Sequence, residues 1–79
     1  MTLKMLLAKL NRRGIKPYEI YPANDVRDDV VMVTSNISIQ IHKNKLLLVK
    51  VVGNKIHTMK SSNRIADIAK VLNKLLWIK

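Results

Sequence analysis

Residues 30 to 60 form four short strand-like runs rich in aliphatic side chains, cut by three turn signals. The runs are 30–34, 37–42, 46–52 and 55–60. Ser35-Asn36 and Gly53-Asn54 fit two-residue hairpin turns, and Lys43-Asn44-Lys45 a three-residue one. This spacing predicts an antiparallel meander and little else. Because side chains alternate with a period of two, turn lengths fix which residues share a face. The expected pairs are Val30 with Ile41, Met32 with Ile39 and Thr34 with Ile37. Ile41 then meets Leu47, Ile39 meets Val49 and Ile37 meets Val51, and across the last hairpin Val51 meets Ile56 and Val49 meets Thr58.

Helical periodicity brackets the meander. Leu3, Leu6, Leu7 and Leu10 make one apolar stripe over residues 3–13, with Thr2 as N-cap and Gly14 as the residue that ends the helix. Pro17 blocks continuation, and Arg12 and Arg13 suit the negative end of the helix dipole. A second stripe of Ile65, Ile68, Ala69, Leu72, Leu75 and Leu76 predicts a helix over 62–76, capped by Ser61 or Ser62 and left by the chain at Trp77 and Ile78. The expected fold is α+β: a helix, a four-stranded antiparallel meander and a helix. It becomes five-stranded if Tyr18-Glu19-Ile20-Tyr21 joins. Both helices are expected on the sheet face bearing Ile37, Ile39, Ile41, Leu47, Val49 and Val51.

That arrangement leaves Val31, Val33, Ser38, Gln40, His42, Leu46, Leu48, Lys50, Val52, His57 and Met59 on the uncovered face, with Leu48 opposite Met59. An exposed antiparallel face normally turns polar. Val31, Val33, Leu46, Leu48 and Met59 are therefore interface candidates, for a homodimer or an inhibitor-type adaptor. The competing expectation is that segment 18–29 or the Trp77 end folds over them.

A chain of 79 residues allows a single domain spanning 1–79. The hydrophobic fraction of 48 % is too high for disorder. The absence of cysteine excludes disulfides, thiolate metal sites and a cysteine nucleophile. No uninterrupted apolar stretch exceeds four residues, far short of the ~20 that span a bilayer. Lys4 and Lys9 interrupt anything like a signal sequence, so a cytoplasmic protein is expected.

No catalytic residues, metal site, cofactor or small-molecule substrate are expected. The two glycines both serve turns, which leaves no phosphate-cradling loop. His42 and His57 fall about four residues apart along the strands, too far at roughly 3.3 Å per residue for one zinc. Asp25-Val26-Arg27-Asp28-Asp29 lacks the spacing of a calcium loop. For a metal-dependent nuclease, Asp29 offers one carboxylate, but Lys43 lies one residue too far beyond Gln40 and faces the other way.

Charge points elsewhere. Fifteen Lys and Arg stand against five acids, a net +10, distributed as +5 over 1–16, −3 over 17–29 and +8 over 30–79. Ile, Lys and Asn supply 27 of the 79 residues, and their A/T-rich codons account for part of this basicity without selection for charge. Lys9, Arg12, Lys16, Arg64, Lys70 and Lys74 fall on outer helix faces or helix ends, where they would neutralise DNA or RNA phosphates. The order helix, strands, helix loosely resembles a double-stranded-RNA-binding domain. Those domains, however, carry a lysine run where this chain has Ser61-Ser62-Asn63-Arg64, and that family is not assigned. The expected function is a small non-enzymatic accessory or regulatory protein, of a size and composition that fit a phage or mobile element, which binds nucleic acid through a basic helical surface. Self-association through the sheet is the alternative.

Overall fold

The computed structural model describes residues 1–77, in the order α1 (Leu3–Arg12), β1 (Glu19–Tyr21), β2 (Asp29–Met32), β3 (Ile37–His42), β4 (Lys45–Val52), β5 (Lys55–Ser62) and α2 (Ile65–Trp77). The five strands form one antiparallel sheet in the order β1-β2-β3-β4-β5. The fold is α+β, and residues 19–21 supply the fifth strand. Among the described residues no helix is long and apolar enough to cross a membrane. Expectations for Ile78 and Lys79 lie outside the described residues.

Capping chemistry explains the limits of α1. The Thr2 hydroxyl accepts the Met5 N–H at 3.2 Å. At the other end Gly14 takes φ +73°, which an L side chain rarely adopts. The Ile15 N–H donates to Leu10 C=O and the Gly14 N–H to Asn11 C=O, each at 3.0 Å. Those two bonds are the Schellman pattern, and its hydrophobic contact is present, since Leu10 and Ile15 are both buried. At α2, Ser62 Oγ accepts the Arg64 N–H at 3.1 Å and donates to Asp67 at 2.7 Å. Helix α2 continues through Trp77, one residue beyond the expected end of its stripe.

The core lies between the two helices and one sheet face. Leu6 and Leu10 of α1 and Ile65, Ile68 and Leu72 of α2 share a cluster with Val31, Val33, Ile37, Ile39, Ile41, Leu46 and Leu48. The expected register is therefore wrong at β3. Val31 pairs with Ile39, Met32 with Ser38, Ile39 with Leu48 and Ile41 with Leu46. Relative to the expectation, β3 slides by one residue against both neighbours, while the β4–β5 pairs Val49–Thr58 and Val51–Ile56 stand.

Two turns cause the slide. Thr34 Oγ1 accepts the N–H groups of Asn36 and Ile37, at 3.3 and 3.1 Å, so Thr34 stays in the loop and Val33 meets Ile37. The loop thus has three residues, not two. Conversely, His42 pairs with Lys45 across a two-residue turn in which Lys43 takes φ +55°. Gly53 occupies the equivalent first position of the next hairpin at φ +60°. A lysine there gives no sequence signal for a tight turn.

As a result Val31, Val33, Leu46 and Leu48, expected on an open face as interface residues, are buried under the helices at 9 % exposure or less. Met59 does stay exposed, at 40 %. It is the extra residue of a β-bulge, since Val49 pairs with Thr58 but Leu48 with Lys60, so Leu48 and Met59 are not opposite. The open face carries Val30, Met32, Ser38, Gln40, Leu47, Val49, Val51 and Ile56 instead. Segment 18–29 does not cover it: residues 19–21 extend the sheet edge, and 22–27 are exposed.

Candidate nucleic-acid interface

Lys9 and Arg12 lie in the last turn of α1 and Arg13 is its C-cap. Together with Ile65, the first residue of α2, they line a cavity of about 210 Å³. Lys9 is half-buried in this groove, while both arginines are exposed. Burying the lysine stem while the ammonium reaches solvent is the usual compromise for a long cation at an apolar seam. Arg64 immediately precedes Ile65 and is exposed, so the chain reaches α2 with a further cation.

Among the described residues no carboxylate lies within 4 Å of these cations. Among the described residues the single ion pair within 4 Å joins His42 to Asp28, and it involves no lysine or arginine. Four of the five acids are committed to local hydrogen bonds. Glu19 accepts from the Tyr21 hydroxyl, and Asp29 from the Ala23 N–H at 2.7 Å. Asp28 accepts from Gln40 at 3.2 Å and pairs with His42 at 2.7 Å, and Asp67 accepts from Ser62. None of these contacts involves a groove cation.

The structure brings Lys9 and Arg12 to the groove and places Arg64 at its α2 end, but it separates the other expected residues. Lys16 lies beyond the α1 Schellman turn and is exposed. Lys70 and Lys74 sit one turn apart on α2, exposed and outside the groove lining. Arg13 is a groove residue that the charge reading left with the helix dipole. Its place beside Arg12 at the start of the Schellman turn was the available clue.

On the open sheet face, Asp28 rather than Asp29 is the carboxylate that meets Gln40. Hydrogen bonds from His42 and then Gln40 hold the Asp28 carboxyl below the usual range, against a smaller opposing effect of burial. The Tyr21 phenol is shifted up, chiefly by its bond to Glu19. Arg27 lies 5.4 Å from the Tyr21 ring centroid, so that cation is stacked on an aromatic face. No three His, Asp or Glu side chains among the described residues gather as a metal site would require. Comparison with family models, with curated proteins and with solved structures returns no match.

Proposed function

We propose that the chain is a small nucleic-acid-binding accessory protein that acts without catalysis and holds a phosphate backbone across the groove between α1 and α2. The observation that supports this reading is the gathering of Lys9, Arg12 and Arg13 around one cavity with no carboxylate within 4 Å among the described residues. Unpaired cations on a rigid helix end can neutralise phosphates without first giving up an internal partner, and the released counterions supply affinity. Arg64 extends the same surface, whereas Lys70 and Lys74 add a longer-range field that steers an anionic partner. Contacts of this kind position a backbone and read no bases, so little sequence preference is expected.

Fluorescence anisotropy with labelled DNA and RNA duplexes tests the reading. With about four phosphates neutralised, affinity falls on the order of 100-fold between about 50 and about 200 mM salt. The Arg12→Glu, Arg13→Glu double variant weakens binding and makes the salt dependence shallower by about two phosphates. No measurable binding at the lower salt concentration overturns the proposal.

A further inference from the structure

We propose that the open face of the sheet is the interface of a symmetric homodimer whose two-fold axis runs along β3. This is independent of the nucleic-acid reading, since the groove and the open face lie on opposite sides of the sheet.

The register lays the face out in rows. One row runs Tyr21, Val30, Gln40, Leu47, and the next Glu19, Met32, Ser38, Val49, Thr58. Beyond the first of these, Asp28 and His42 are joined by their 2.7 Å contact, and Lys45 is paired with His42. Aliphatic side chains thus flank a polar central strand. Val30, Met32, Leu47 and Val49 are only half-buried and lie outside the core cluster, and Val51 and Ile56 are 38 % and 73 % exposed.

This layout is self-complementary under one operation. A two-fold along β3 stacks β2 of one copy on β4 of the other. Val30 and Met32 then meet Leu47 and Val49 of the second copy, and the same contact occurs twice. Asp28 meets Lys45 of the second copy, again twice, so the charges at that end oppose correctly. Ser38, Gln40 and His42 fall on the axis and meet their own counterparts. A hydroxyl and a carboxamide are each donor and acceptor, and so they can pair with themselves. Gln40 donates one amide hydrogen to Asp28 and keeps its carbonyl and a second N–H free for this.

The face is also large enough. Five strands about 4.8 Å apart, with a central strand about 20 Å long, project on the order of 500 Å². Two such faces bury roughly 1,000 Å² in total, the lower limit of a specific interface. Two such faces stack about 10 Å apart as an aligned sandwich.

Sedimentation of the full chain over a micromolar-to-millimolar dilution series tests the proposal, with a dimer of twice 9.1 kDa expected. Val49→Lys, at a half-exposed position, should give a monomer with an unchanged circular dichroism spectrum. Charge exchange supplies a second test, with the circular dichroism of each variant as its control for folding. Asp28→Lys alone and Lys45→Asp alone each raise the dimer dissociation constant by about tenfold or more. An equimolar mixture of the two restores association as a heterodimer. A wild type that is monomeric throughout overturns the proposal, as does a dimer that persists in Val49→Lys or a mixture that stays monomeric. A monomer whose open-face amide resonances shift on adding duplex gives that face to nucleic acid, and equally overturns the dimer.

Discussion

Adjacent residues along the central strands differ sharply in environment: Val31, Ile39 and Leu48 are fully buried beneath the helices, while Val30, Ser38 and Val49 face out and are half-covered. Both faces of β2 and β4 are aliphatic, so apolar content does not distinguish them. Only the face that receives Leu6, Leu10, Ile68 and Leu72 is dry. Burial here follows from what the helices cover, and not from how hydrophobic a strand is. The difference lets a small domain keep a second apolar surface for another purpose.

The largest expected effect comes from truncating the dry face. Leu48→Ala deletes a side chain of 0 % exposure at the centre of the core and should cost about 2–5 kcal/mol. A domain of this size has only ~3–5 kcal/mol to lose, so a substantial unfolded fraction is expected at 25 °C. Val49→Ala, one residue away on the open face, should cost less than about 1 kcal/mol for a monomer. Urea unfolding of both variants at low protein concentration measures the contrast. Equal losses would mean that both faces are packed, and the comparison would break.

The sequence made β3 legible and left its neighbours ambiguous. Ile37-Ser38-Ile39-Gln40-Ile41-His42 alternates strictly, so its isoleucine face is the core face on any register. Val30-Val31-Met32-Val33 and Leu46-Leu47-Leu48-Val49 are apolar on both faces. Their orientation depends entirely on turn length, and that was decided by two features hidden from a pattern reading. One is the Thr34 hydroxyl capturing the Ile37 N–H, and the other is Lys43 entering the left-handed region. The helices were readable to within about a turn because of their apolar periodicity; caps and periodicity agree at α1, while α2 starts at Ile65, three residues after the expected start. The groove was partly readable: Lys9 and Arg12 were evident as outward cations, but their meeting with Arg13 at the start of α2 depends on the packing of two segments distant in sequence.

Those same turns offer a smaller, two-signed test of the register. Thr34→Ala removes the acceptor for two loop N–H groups and should cost about 1 kcal/mol. Lys43→Gly places glycine at φ +55° and should stabilise by about 0.5–1 kcal/mol, the relief of the left-handed backbone outweighing the extra freedom of the unfolded chain. Thermal melts of both variants read the signs. Were Lys43 in a three-residue loop with ordinary φ, the glycine would destabilise instead. That outcome would slide β3 and exchange the faces of its neighbours.

The smallest effect concerns the open face itself and is lost in acid. Asp28 links β2 to β3 through Gln40 and His42, and those bonds hold its carboxyl below the ordinary aspartate value. A carboxyl lowered in the folded state favours folding fully above its unfolded pKa, about 3.9. That contribution is lost as the pH falls through the lower folded value, where native and unfolded chains become protonated alike. Asp28→Asn cannot ionise and never has the contribution. Wild type should therefore be more stable than Asp28→Asn near neutrality, and the gap should close below about pH 4. Urea titrations of both chains from neutral pH into acid follow that gap directly. A gap constant with pH would show that the Asp28 charge does not stabilise the fold, and that the open face is ordered by the strand ladder alone. A gap that closes as described would show that the wet face is tied across β2 and β3 by a polar contact, where the dry face is tied by packing.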